Sequence, residues 1–283
     1  MSREYVIRTI LLTAFALIAF AFNSILCRMA LRGGEADAIG FTFIRLVAGA
    51  LTLITISYFF GKGTKTSERG NWISAFFLFA YAVCFSLAYL ALSAGTGALI
   101  LFGSVQLTMI LIALFRGELP GAVEWLGLGI ALGGMVYLVF PGLASPPLHS
   151  SLLMAAAGAA WGIYTLRGKG GGHPLAQTTG NFLWSVPMIA VAGIPFFSQI
   201  HLSGRGIVIA IVSGGIASGL GYTVWYAALK FHTSTRAAVL QLAVPLIAAA
   251  GGVLLLSETA TTRLWIAAAL ILGGIGLTIF GRK

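Results

Sequence analysis

The chain has 283 residues, 59% hydrophobic and only 8% charged, with a mean hydropathy of +0.98. Soluble domains carry about 25% charged residues, so composition excludes a soluble enzyme or binding module and places most of the chain in lipid. The net charge of +10 does not restore a nucleic-acid reading, because the basic residues sit in short gaps between apolar runs, where they orient a membrane protein rather than build a phosphate-binding face.

Taken in order, ten segments approach the ~20 apolar residues that a bilayer crossing needs: about 6–30, 38–60, 71–92, 97–116, 122–141, 149–167, 175–197, 205–229, 234–256 and 262–281. The runs are long and continuous, without the alternation of barrel strands. The fold class is therefore an all-α membrane protein with ten transmembrane helices. Arg3 and Arg8 precede the first segment as in a signal peptide, but that segment exceeds an apolar signal core and is the counterpart of the run beginning near Ser151, so it is kept as a helix. The gaps carry turn chemistry, as in Gly33-Gly34, Gly61-Lys62-Gly63, Pro141-Gly142, Pro146-Pro147 and Gly170-Gly171-Gly172. With the N-terminus in the cytoplasm, four of the 17 lysines and arginines (Arg28, Arg32, Arg205 and Arg263) lie outside, Arg45 lies within a span, and the other twelve are cytoplasmic. That asymmetry puts both termini in the cytoplasm. Cys27 and Cys84 fall inside apolar runs and read as packing residues.

The chain also repeats itself. Glu118, Trp125, Gly133-Gly134 and Phe140 return as Glu258, Trp265, Gly273-Gly274 and Phe280, at an offset of 140 residues. Tyr89 and Leu92 match Tyr226 and Leu229, and Phe22, Arg28 and Phe43 match Trp161, Arg167 and Phe182 at slightly different offsets. Two five-helix units follow, 1–145 and 146–283. Five is odd, so the second unit enters the membrane from the opposite side, giving an inverted repeat of the kind transporters use.

These features resemble the drug/metabolite transporter superfamily, in its ten-helix exporter branch, over essentially the whole chain. The resemblance rests on the five-plus-five arrangement, on Phe22-Asn23 and Trp161-Gly162 near the start of each half, and on the glutamate closing the fourth helix of each half. Within that branch the chain is most similar to bacterial aromatic and amino-acid exporters. The resemblance implies a multi-pass exporter of the bacterial inner membrane, carrying small metabolites, chiefly amino acids including aromatic ones. It would work by alternating access through a central cavity lined by helices 1, 3, 4, 6, 8 and 9. A drug or hydrophobic-cation carrier and a nucleotide-sugar carrier of the same fold are the alternatives. The partners expected are an amino-acid-like substrate and the bilayer, with no cofactor, no metal, no nucleic acid and no obligate protein partner.

Polar groups in mid-membrane are costly, so each one inside a span is a candidate for function. All seven acidic residues, Glu4, Glu35, Asp37, Glu68, Glu118, Glu124 and Glu258, lie at segment ends or in gaps. The four-helix small multidrug exporters use a membrane-embedded glutamate for cation and proton; the first helix here has none. Transport without carboxylate-based proton coupling is expected. His149, His173, His201 and His232 also fall in gaps and read as solvated. An intramembrane hydrolase is disfavoured, since Ser104 has no histidine in the spans to activate it and metal-ligand clusters are missing.

The spans do offer rings and amides. Tyr81, Ser86 and Tyr89 lie on the third segment, Trp161 and Tyr164 on the sixth, and Tyr222, Trp225 and Tyr226 on the eighth, at helical spacing. Such rings can sandwich an apolar side chain and offer a π-face to an ammonium, or serve in packing or, at the helix ends, in an aromatic belt. Asn23, Gln106 and Gln241 donate and accept, which suits a zwitterion or holds helices together; Asn181 reads as structural. Arg45, the one basic residue well inside a span, reads as a structural anchor ahead of a ligand for a substrate carboxylate. Pro245, one turn after Gln241, is expected to kink the ninth helix beside the pathway, as a gate element. Glu118 and Glu258 read as matched helix-terminal anchors or gates. The small-residue pairs Gly129/Gly133 and Gly215/Gly219 fit close packing within the monomer or a dimer contact.

Overall fold

A peptide group left unpaired in hydrocarbon costs several kcal/mol, and this chain meets that constraint with helices. The computed structural model describes residues 3–60, 70–115, 121–140, 142, 145–168, 173–232, 237 and 240–281; Glu118 lies outside them. The helices are α1 (Arg3–Arg32), α2 (Ala38–Phe60), α3 (Trp72–Tyr89), α4 (Ala94–Phe115), α5 (Ala122–Val139), α6 (Leu148–Gly168), α7 (Pro174–Gly193), α8 (Gly204–Leu229), α9 (Ala243–Leu256) and α10 (Thr262–Gly281). A 3-10 stretch, Ile194–Gln199, continues α7. The only extended pairing among the described residues is one antiparallel bridge between Ala36 and Leu202.

Eight of these helices are long and apolar enough to cross a membrane. The other two are α6 and α9. α6 has 21 residues, but His149, Ser150, Ser151, Gly158 and Gly162 dilute its apolar content. α9 has only 14 residues, because the ninth segment is interrupted. Leu240 and Gln241 are helical, the chain turns at Leu242, and α9 starts at Ala243. Pro245 accounts for the break: it has no N–H to give the Gln241 carbonyl four residues earlier.

The principal helix contacts are α5 with α10, α2 with α7, and α4 with α9. To these are added α3 with α6 and α8 with α1, α4 with α6 and α9 with α1, and α3 with α7 and α8 with α2. Exchanging the first five helices for the last five leaves this set unchanged. Outside, apolar side chains are exposed all round, as lipid requires. Trp72, Trp125, Trp265 and Tyr58 are exposed near helix ends, the positions of an interfacial aromatic belt. Trp125 and Trp265, the most visible landmarks of the repeat, therefore face away from the core.

Lipid tails give apolar helices no hydrophobic reason to associate, so contact depends on small residues that let backbones approach. At the α5–α10 contact a Cβ on Gly127 would lie 2.5 Å from the Gly274 carbonyl oxygen, and one on Gly274 equally close to that of Gly127. Of the small-residue pairs singled out in the sequence, Gly215 and Gly219 do pack, against Thr52 of α2. Gly129 and Gly133 do not: a Cβ at either would meet nothing within 4 Å. The packing on that helix falls instead to Gly127 and Gly134, which lie on the face turned to α10. Gly127→Ala is therefore expected to lower stability by about 1–3 kcal/mol through overpacking. Gly129→Ala, with open space around it, should be neutral or slightly stabilising, since alanine favours the helix by about 1 kcal/mol. Thermal unfolding midpoints of the two purified variants in detergent check the contrast.

Candidate functional site

Five helices meet at a cavity in the centre of the bundle, and each brings a ring; the ninth, expected among them, supplies none of the described lining residues. α1 contributes Phe20, Asn23 and Ser24; α3 contributes Tyr81 and Phe85; α4 contributes Leu101 and Phe102. α6 adds Trp161, and α8 adds Ala217 and Tyr222. α2 stands behind α3 and carries Arg45. Helical spacing explains the first pairs: Phe20 and Asn23 are three residues apart, Tyr81 and Phe85 four, so each pair shares a face.

Trp161 is the hub. Its ring stacks on Tyr81 at 5.7 Å between centroids and 24° between planes. It meets Phe20 at 6.2 Å, Phe102 at 5.4 Å and Tyr222 at 6.4 Å, all edge-on. Phe20 in turn touches Tyr222 at 5.6 Å and Trp225 at 5.9 Å. The space left between these rings is about 10 Å³, room for a single water. This is a closed arrangement, and a substrate is accommodated only when the rings separate.

A polar seam runs along one wall. Arg45 Nη2 donates to Tyr81 Oη at 3.0 Å, Asn23 Nδ2 donates to the same oxygen at 3.4 Å, and Ser213 Oγ donates to Asn23 Oδ1 at 2.7 Å. Ser213 opens a π-helical stretch, Ser213–Leu220, in the middle of α8. Such a widened turn shifts the face that the following residues present, and here it holds Ser213 against α1 and Ala217 in the cavity wall. α8 can sit this close to α2 because Gly214 lies against the Arg45 backbone; a Cβ there would collide with the Arg45 carbonyl oxygen. The Arg45 side chain is 2% exposed. Its guanidinium carbon is 4.8 Å from the Phe85 ring centroid and 5.4 Å from that of Tyr81.

Of the residues expected at the site, Asn23, Tyr81, Trp161 and Tyr222 line the cavity, and Trp225 stands one ring behind, against Phe20. The others lie elsewhere. Ser86 joins α3 to α2 by accepting from Thr42 Oγ1 at 2.7 Å. Tyr89 ends the ring ladder begun by Tyr81 and Phe85 and is wedged against Gly97, with its hydroxyl on the Ala94 carbonyl at 3.3 Å. Tyr164 accepts from Asn181 Nδ2 at 3.5 Å, and Asn181 Oδ1 accepts from the Asn71 amide at 3.0 Å, a structural tie between α6, α7 and the start of α3. Gln106 is buried on α4 and Gln241 half-buried before α9; neither lines the cavity. Phe20, Phe85 and Phe102 were missed because a phenylalanine in an apolar span carries no mark of its own. Spacing from Asn23 and Tyr81 was the available signal for the first two.

The EamA-like transporter family matches this chain twice, over residues 7–140 and over residues 149–280. The chain belongs to that family. Among similar proteins, an uncharacterised protein of Pseudomonas aeruginosa is 48% identical over 97% of this chain and 96% of its own length. Proteins of Salmonella typhimurium and Escherichia coli, each named a probable amino-acid metabolite efflux pump, are both 26% identical, covering 71% and 72% of this chain and 72% and 73% of their own. One crystal structure, 18% identical, covers all of both chains at a TM-score of 0.67 and shares the fold. This membership sets the protein among transporters of the drug/metabolite superfamily rather than among enzymes.

At one end of this EamA-like transporter, polar contacts bind several elements to the C-terminus of α1. Arg28 Nε pairs with Glu258 Oε1 at 3.2 Å, and Arg28 Nη1 donates to the Tyr89 and Leu90 carbonyls at 2.9 Å each. Glu258 Oε2 accepts from the Ala94 amide at 2.8 Å, at the start of α4. Arg32 Nη1 holds the Leu256 carbonyl at 2.7 Å. At the same end the loop after α1 is bound to the loop before α8: the Asp37 amide donates to the His201 carbonyl, the Ser203 amide to the Glu35 carbonyl, and Ser203 Oγ to the Glu35 carboxylate.

Proposed function

We propose that this transporter exports small metabolites, chiefly amino acids including aromatic ones, across the bacterial inner membrane. The reading is of alternating access between two inverted five-helix halves, 1–145 and 146–283, with both termini cytoplasmic. The observation that carries it is the central cavity, where rings from both halves surround an asparagine amide within a mid-membrane seam free of carboxylates. The double family match and the set of contacts unchanged on exchanging the halves support the duplication. The names of the Salmonella and Escherichia relatives favour amino acids among metabolites. A hydrophobic-cation carrier would want an acid in the wall, and the lining residues include none. A nucleotide-sugar carrier would want several convergent cations, and among the described residues Arg45 is the one bound to a cavity-lining side chain.

In this reading Glu258, with Arg28, is a gate element at the end described above. Pro245 and the break at Leu242 permit α9 to bend. Flux into or out of proteoliposomes, followed with labelled phenylalanine, tyrosine, leucine and threonine, is the test. Protein-dependent flux of phenylalanine is expected with equal pH on both sides. Flux that occurs only under an imposed pH gradient would sink the absence of proton coupling, and no flux of any amino acid would sink the substrate class.

A further inference from the structure

We infer that Arg45 is the group that binds a carboxylate in the cavity. The inference rests on the amino-acid reading above and names which end of the substrate is held, and where. A structural anchor buried in a membrane protein has its donors consumed by carbonyls or an acid. Arg45 has not. It is 2% exposed, and the guanidinium reaches one tyrosine hydroxyl through Nη2 and two ring faces. Nη1 is buried with no hydrogen-bond partner among the described residues. The ion pairs among those residues are Arg28 with Glu258 and Arg205 with Glu35, so Arg45 has no counter-ion there.

An uncompensated cation away from water is among the most costly groups a fold can hold, and an arriving carboxylate removes that cost. The fork of a guanidinium also suits a carboxylate better than a lone ammonium would. The facing element offers a second unused donor: Ser218 Oγ on α8 is buried without a partner among the described residues, next to cavity-lining Ala217 and one turn beyond Gly214, which packs on the Arg45 backbone. Tyr81 ties the guanidinium to the cavity. Its hydroxyl takes the Arg45 hydrogen bond, and its ring stacks on Trp161. A zwitterion would thus place its carboxylate towards Arg45 and Ser218 and its ammonium or side chain on the faces of Trp161, Tyr222 and Phe20.

Three probes separate the ends of the substrate: L-phenylalanine, 3-phenylpropionate, which lacks the ammonium, and 2-phenylethylamine, which lacks the carboxylate. Each is titrated calorimetrically into the purified protein in nanodiscs of zwitterionic lipid. The unaltered protein is expected to bind phenylpropionate at least about tenfold more tightly than phenylethylamine, tenfold being about 1.4 kcal/mol. Arg45→Met, which keeps the stem's packing, should weaken phenylalanine and phenylpropionate at least about tenfold and leave phenylethylamine unchanged. Arg45→Lys should recover part of the loss. Phenylethylamine binding the unaltered protein as tightly as phenylpropionate overturns the inference and leaves amino-acid transport standing; this arm does not depend on any variant folding. A folded Arg45→Met protein that binds phenylpropionate undiminished overturns it too. If no probe binds the unaltered protein and no amino acid moves in liposomes, the functional reading falls and takes the inference with it.

Discussion

Trp161→Ala is expected to lower phenylalanine transport at least about a hundredfold. Its indole touches α1, α3, α4 and α8 at once, through Phe20, Tyr81, Phe102 and Tyr222. Removing a buried tryptophan costs about 3–5 kcal/mol, and a loss of only 3 kcal/mol expressed in the transition between states is already a hundredfold. The stacked pair with Tyr81 matters most. It orients the hydroxyl that Arg45 and Asn23 share, so alanine removes a substrate-facing surface and loosens the polar seam together. Trp161→Phe keeps a ring of smaller reach and should lose less than a third as much on a logarithmic scale. Counterflow in proteoliposomes, normalised to reconstituted protein and read beside the thermal midpoint, separates transport from stability. A folded Trp161→Ala protein with transport within about threefold of the original would remove this cavity from the pathway.

The same geometry shows what could be read in advance. Apolar run length marked out ten helices, with ends mostly within a few residues of those observed, because hydrocarbon imposes a length that sequence must obey. The ninth was the exception in extent: Pro245 foretold a disturbance, but its consequence, a turn at Leu242 and a short α9, depended on what packs beside it. At the site, Asn23, Tyr81, Trp161 and Tyr222 were legible as polar or amphipathic groups where polarity is costly. Tyr89 and Tyr164 met the same criterion, and the structure places them off the cavity lining, against Gly97 and on Asn181. The criterion registers that a polar atom needs a partner, not whether that partner is a substrate or a backbone carbonyl. Ser213 was hidden for a different reason, since its aim at Asn23 depends on a π-helical turn that no periodicity of 3.6 registers. Arg45 was visible as an oddity, but that its Nη1 has no partner among the described residues, the observation on which the carboxylate inference rests, is a matter of packing that sequence does not carry.

Glu258→Gln is expected to open the tied end of the bundle and to cut transport by a comparable factor. The carboxylate serves two donors at once, Arg28 Nε on one oxygen and the Ala94 amide on the other, with side chains only 13% exposed for Arg28 and 8% for Glu258. A glutamine of the same shape has one acceptor oxygen and one NH₂. Whichever way it turns, it faces a donor with a donor, and it no longer offers a negative charge to Arg28 or to the N-terminus of α4. Breaking one side of a buried ion pair costs about 3–5 kcal/mol, enough to invert a two-state equilibrium that favours closure by a smaller margin. Cys27, buried beside Arg28, reports the change directly. In a background where Cys84 is alanine, N-ethylmaleimide should label Cys27 slowly in the parent and at least about tenfold faster in Glu258→Gln. Replacing Arg28 and Glu258 together by methionines removes the stranded charge as well as its partner, so it should restore slow labelling in part. Unchanged labelling with unchanged transport would reduce Glu258 to a cap on α4. Unchanged labelling with lost transport would assign its role to the substrate's route rather than to closure.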